Sequence, residues 1–121
     1  PSAWNAKYEA YLGIKPKTDR DGVLQDGHWY GGAFGYFPSY NIGFIYAAQL
    51  REAVIKDHPD FDEIISSQNL SLIAYWQKQH IHQYGKLKTP KEILTGLSID
   101  RIDAQPLINY LTKKYEELYK L

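Results

Sequence analysis

The chain has no cysteine and no methionine among its 121 residues. Without thiols there is no disulfide framework and no thiolate metal site, and the absence fits a reducing compartment such as the cytoplasm. An unprocessed natural start carries methionine, whereas this chain opens on Pro1, so it is expected to be a fragment, a processed product or an excised piece. Neither charge is in excess, since Lys+Arg and Asp+Glu both number 14. Nucleic acids and anionic membranes require a basic surface, so neither is an expected partner. No apolar run is long enough to span a bilayer, and no N-terminal signal pattern is present. No segment alternates with period two for long enough to make a strand. Nor is there a repeat, a low-complexity run or a mark of an internal boundary. These exclusions leave an all-α chain of at most one domain, long enough to bury a core.

The helical pattern is legible in most places. Trp4, Tyr8 and Tyr11/Leu12 recur at helical spacing in residues 2–12, with Ser2 as an N-cap candidate and Gly13 as the terminating residue. A polar connector follows to Asp21. Residues 22–37 carry five glycines and no clean periodicity, which predicts a loop with one helical turn. Pro38 suits the first turn of a helix running to about Asp57. The apolar stripe of that helix is broad in its first half, which implies burial on most sides there. His58-Pro59 stops it, and a short helical piece begins at Asp60. Asn69 or Ser71 opens the next helix, expected to reach Tyr84 before Gly85. Thr89-Pro90-Lys91-Glu92 is a capping box with proline at the first helical position. The last helix starts near Asp103 and ends near Tyr119, with a basic C-terminal turn that suits the helix dipole.

The chemistry-bearing stretch is Gly22 to Gln49. It contains Gln25, Asp26 and His28, closed by Trp29, then a glycine-aromatic run and the apolar helix. Taken alone, Gln25, Asp26 and His28 are compatible with an ordinary loop network in which each polar group finds a backbone partner. Tyr36 and Tyr40 follow across the glycine loop. A His and a Tyr near each other can both donate hydrogen bonds to one developing oxyanion, and neither need be a nucleophile. No base, nucleophile or metal set accompanies them. His80 and His82 are two apart, which on a helix points them to different faces, and no H-E-x-x-H is present. His58, before a proline at a helix end, reads as a surface or capping residue. The pairs Asp62/Glu63 and Glu116/Glu117 read as solvated faces.

Gly22-Val23-Leu24-Gln25-Asp26-Gly27-His28-Trp29 resembles the G-x-x-Q-D-x-H-W motif of the thermostable zinc carboxypeptidases, the carboxypeptidase Taq family. The resemblance continues in order through Gly35-Tyr36-Phe37-Pro38-Ser39-Tyr40, Tyr46-Ala47-Ala48-Gln49-Leu50, Ile81-His82, Gly85, Pro90, and Tyr110-Leu111 with Lys114-Tyr115. It begins at Trp4-Asn5, so it covers nearly the whole chain.

The resemblance implies that this is the C-terminal part of a much longer, almost wholly helical enzyme. Such an enzyme binds one divalent metal (zinc or cobalt) through an upstream H-E-x-x-H and a Glu on a following helix. There the metal activates a water, the motif Glu is general base, and the C-terminal residue of a peptide is removed. The implied partners are a peptide substrate, the N-terminal remainder of the same enzyme, and a second copy in a homodimer. This chain alone is expected to bind no metal and to be inactive. By comparison with related helical zinc peptidases, His28 is the leading candidate for stabilising the tetrahedral intermediate, with Tyr40 second and Tyr36 in competition. Gln25, Asp26 and Trp29 are read as orienting His28 and its loop. His82 and Lys86 are candidates for substrate binding, although many relatives carry Arg where Lys86 stands, and Lys cannot replace a bidentate Arg. An Arg-x-Thr-Gly pattern common near residues 96–99 is absent. The alternative from another class is a self-standing helical interaction module, its 11 tyrosines and 3 tryptophans forming a binding or packing surface.

Overall fold

A computed structural model describes residues 1–120, of which helices make up most, with no strand among the described residues. The all-α reading holds. Seven α-helices follow one another: α1 (Ser2–Leu12), α2 (Gly27–Tyr30), α3 (Tyr36–Asp57), α4 (Phe61–Ser66), α5 (Leu70–His80), α6 (Pro90–Gly96) and α7 (Gln105–Tyr119). Short 3-10 turns lie at Asp19–Asp21, Val23–Gln25 and His82–Tyr84. The chain forms two compact units, the first Pro1–Ser39 and the second from Tyr40 onward.

In the first unit, α1 stacks Trp4 on Tyr8, with ring centroids 4.3 Å apart and planes 15° apart. This is the i, i+4 contact that the sequence spacing predicts. Gly13 ends the helix at φ 67°, the left-handed conformation in which a residue with no Cβ meets no clash. The expected N-cap is displaced by one. Ser2 is already helical, Pro1 holds the cap position, and no side chain closes that end.

In the second unit the buried apolar side chains are Val54, Ile64, Trp76 and Leu94, one each from α3, α4, α5 and α6. Polar contacts anchor α3 among them. The Trp76 Nε1–H donates to Asp57 at 2.7 Å, tying α5 to the end of α3. The Gln49 amide donates to the Arg101 carbonyl at 2.9 Å. Arg51 bonds Asp62 at 3.3 Å, and its guanidinium lies over the rings of Phe61 and Tyr110 at 5.2 and 5.4 Å. The capping box at α6 is present in full: Glu92 N–H donates to Thr89 Oγ1, and Thr89 N–H donates back to the Glu92 carboxylate at 2.7 Å.

Other expectations need correction as well, among them the basic last turn of α7, which holds no basic residue. Helix α3 starts at Tyr36, two residues before Pro38, because a proline in the first turn forfeits no intrahelical bond. Helix α5 ends at His80, not Tyr84: Ile81 sits at φ −129° and ψ −64°, and the chain continues as a 3-10 turn. The first half of α3 is not buried within this chain. Tyr40, Ile42 and Phe44 are 53%, 42% and 59% exposed, and the buried residues of the helix, Gln49 and Val54, are both in its second half.

Thr89→Ala removes the hydroxyl arm of the capping box, leaving the bond from its backbone N–H to Glu92, and is expected to cost about 1 kcal/mol in urea unfolding. The Glu92 carboxyl is held below its usual 4.5, first by the Thr89 backbone N–H and then by its hydroxyl, with slight burial opposing. Its stabilising contribution is therefore complete above pH 4.5 and fades as pH falls through the lowered value. The difference between wild type and Thr89→Ala should shrink in that acid range. For the exposed half of α3, an isolated 121-residue chain should self-associate in sedimentation velocity. A clean monomer with slow amide exchange throughout α3 would contradict this.

Candidate functional site

The site begins with a turn that a glycine makes possible. Gly22 is buried, and a Cβ placed there would sit 3.0 Å from the Trp4 ring and 3.1 Å from Pro16. That close approach brings α1 against the 3-10 turn Val23–Gln25. The turn is then pinned at both ends: Gln25 Nε2 donates to the Arg20 carbonyl at 2.6 Å, and the Tyr30 hydroxyl donates to the Leu24 carbonyl at 2.5 Å.

Asp26 is the N-cap of the four-residue helix α2. One of its oxygens, Oδ1, accepts the backbone N–H of His28 at 2.9 Å and also lies 2.7 Å from His28 Nδ1. The same atom thus closes the helix and fixes the imidazole. Its carboxyl is held below the ordinary value of 3.8, chiefly by the His28 backbone bond, with the His28 side-chain bond and charge adding and slight burial opposing. The imidazole is further clamped by aromatic rings. Tyr36 stacks on it at 4.3 Å and 21°, and Phe37 meets it edge-on at 4.8 Å and 70°. Trp29, 42% exposed, packs on Phe34 at 5.6 Å. A shallow cavity of about 410 Å³ opens beside this group, with Trp4, Trp29 and Phe37 as its aromatic walls and Gln25, Asp26 and His28 as its polar groups.

The structure therefore brings Asp26, His28 and Tyr36 into direct contact, with Gln25 and Trp29 on the same cavity. Tyr40 lies one helical turn beyond Tyr36 in α3 and belongs to the second unit. His82 and Lys86 are also in the second unit and exposed, His82 opening the 3-10 turn and Lys86 following Gly85 at φ 51°. The sequence reading did not place Trp4 or Tyr30 at the site, and it had Phe37 only as a member of the glycine-aromatic run. The signal for Trp4 was Gly22, whose missing Cβ had to serve a close neighbour. Phe37 and Tyr30 gave none beyond their aromatic character. Among the described residues, no three His, Cys, Asp or Glu side chains are grouped to hold a metal ion.

The family model of the carboxypeptidase Taq (M32) metallopeptidases matches residues 1–115. The chain belongs to that family. It is 46% identical over 121 residues to carboxypeptidase 1 of Bacillus subtilis (strain 168), covering 100% of this chain and 24% of that protein. It is 38% identical over 115 residues to thermostable carboxypeptidase 1 of Pyrococcus furiosus, covering 95% of this chain and 23% of that protein. Metallocarboxypeptidase 1 of Trypanosoma cruzi, a solved structure, superposes with a TM-score of 0.86 at 34% identity, over 96% of this chain and 25% of that one. The chain thus spans about a quarter of the length of the M32 relatives that it matches. The metal that M32 metallopeptidases are named for does not fit any group of residues described here.

Gly22→Ala should overpack the Trp4–Pro16 contact at a cost of about 1–3 kcal/mol. A lower urea midpoint, with a change in the near-ultraviolet dichroism of Trp4, is the expected result. An unchanged midpoint would mean that α1 is not held against the turn.

Proposed function

We propose that this chain is the C-terminal part of a metal-dependent carboxypeptidase, removing the C-terminal residue from peptides, and that it supplies one wall of the catalytic groove. The single observation that carries this reading is the Asp26–His28–Tyr36 arrangement, built on the motif that resembles the family's own. An imidazole gripped by a carboxylate on one edge and a stacked ring on its face cannot swing away. Its second nitrogen, Nε2, is then the one presented to a substrate. Preorganised donors of this kind stabilise charge that develops in a transition state without reorganising as it forms. His28 is accordingly read as a donor to the oxyanion of the tetrahedral intermediate.

Tyr40 is the second donor in this reading. Tyr36 keeps its ring flat on the imidazole, which suits a clamp better than a group that must reach the substrate. Gln25 and Asp26 hold the loop and the ring, and Trp29 walls the cavity. The divalent metal, zinc or cobalt, belongs to residues of the remainder of the enzyme, so the 121-residue chain alone is inactive. That remainder is also the partner for the exposed first half of α3, which supports treating residues 1–121 as one segment of a larger body. A homodimer in the cytoplasm completes the reading. The lack of cysteine supports the compartment, and the family resemblance supports the dimer. His82 and Lys86 are assigned to the substrate side, where Lys86 acts as a point charge on a carboxylate and not as a bidentate fork.

In the full-length enzyme, His28→Phe should keep its metal and lose about 10²–10³ in kcat. Unchanged kcat would remove His28 from the reaction. Tyr40→Phe should lose activity in the same assay while Tyr36→Phe, which keeps the stacked ring, should retain most of it.

A further inference from the structure

Helix α3 carries one polar side chain into the buried part of the second unit, and only half of it is satisfied. Gln49 is 6% exposed. Its Nε2 donates to the Arg101 carbonyl at 2.9 Å, across 52 positions of sequence. That bond fixes which end of the amide is which, because the turned-over amide would set two oxygens against each other. Oε1, the other end, is buried and accepts from no donor among the described residues. A buried acceptor without a donor costs about 1–3 kcal/mol, and native interiors leave few of them.

An acidic cavity lies against the same residue. Gln49 shares the wall of a cavity of about 390 Å³ with Glu52 of α3 and with Ser98, Asp100, Arg101 and Asp103, which lie between α6 and α7. Asp103 gives one oxygen to the Gln105 N–H at 2.9 Å, at the start of α7. Among the described residues, Glu52 and Asp100 make no side-chain hydrogen bond, and none of the three carboxylates enters an ion pair. Arg101 offers its carbonyl to Gln49, and its guanidinium pairs with none of them. Three acids against one base leave the cavity with an excess of two negative charges.

These acceptors are spread too widely for a single metal ion, since no three carboxylates or imidazoles are grouped to hold one among the described residues. A planar organic cation does not need that convergence. Guanidinium presents five N–H donors on a rigid fork, so one edge can meet an amide oxygen while another meets a carboxylate. We propose that this cavity is a guanidinium site, with Gln49 Oε1 accepting one N–H and the carboxylates of Glu52 and Asp100 balancing the charge. It lies in the second unit, apart from the residues around His28, and goes beyond the proposed function. The group can come from two sources: an arginine side chain of the remainder of the enzyme, or a guanidinium-bearing ligand from solution.

The test uses the full-length enzyme as wild type and as the double variant Glu52→Gln/Asp100→Asn, two exposed positions whose side chains hold nothing in place. Ethylguanidinium is the probe, because it lacks the carboxylate that a C-terminal residue would bring to the catalytic groove. If the site is open, saturation-transfer NMR should show wild-type binding that weakens by about threefold to tenfold in the double variant. Tetramethylammonium, with the same charge and no N–H, should bind wild type about tenfold more weakly than ethylguanidinium. If the enzyme's own arginine fills the site, neither probe should bind there, and the double variant should instead unfold at lower urea concentration than wild type. Equal binding of ethylguanidinium to both forms, equal binding of the two probes, or no binding together with an unchanged urea midpoint overturns the proposal. Glu52→Gln alone repeats the comparison if the double variant does not fold. None of these readouts is catalytic, so the proposed function stands or falls separately.

Discussion

The second unit depends on the C-terminal half of α3. Between Gln49 and Asp57 this helix is held by side chains of α4, α5 and α7 and by the Arg101 carbonyl, and the residues that do this differ in kind. Val54 contributes burial, Gln49 bonds to a backbone carbonyl, Arg51 bonds an acid between two rings, and Asp57 receives the indole of Trp76. Trp76 is 4% exposed, so its N–H must find an acceptor or forfeit a hydrogen bond. Asp57, as the last residue of α3, is placed to accept it. One contact thus satisfies the indole and sets where α5 meets α3. The small apolar core would be marginal without such polar anchors, because four buried side chains contribute only a few kcal/mol each.

The first unit is organised on another principle. It has no buried hydrophobic side chain, and its order comes from tight turns and stacked rings. Gly22 admits Trp4, Gln25 and Tyr30 tie down the turn, and Asp26 caps a helix of a single turn. A four-residue helix is too short to persist by its own hydrogen bonds. Here it is held at one end by the carboxylate that also fixes His28, so holding the imidazole and holding the helix are one interaction. Removing Asp26 would release both together.

Much of this was legible in the sequence wherever the cause is local. The Thr89–Glu92 box, the left-handed Gly13, the Trp4–Tyr8 spacing and the helical turn within residues 22–37 all follow from rules acting over a few residues. The end of α5 does not. Nothing in His80-Ile81-His82 forbids a helix, and the break at Ile81 is a matter of tertiary context. The broad apolar stripe of α3 led to an expectation of burial in its first half that this chain does not meet, because a pattern names what seeks burial and not what provides it. At the site, Gln25, Asp26 and His28 were visible through the motif that carries the resemblance. Their contacts with Tyr36 and Phe37 were not, because a glycine-rich loop conceals the direction in which the chain returns.

The arrangement around His28 shares that local character. The groups that hold His28 lie within twelve residues, from Asp26 to Phe37, and each contact is made inside the first unit. Such a half-site can be organised before any other part of the protein reaches it. A metal centre needs ligands brought from separate helices, and no such group exists among the residues described here. An imidazole held by a neighbouring carboxylate and a stacked ring asks only for a capped turn and a returning helix. The imidazole can therefore be held as a preformed local unit, its orientation fixed by the residue two positions before it.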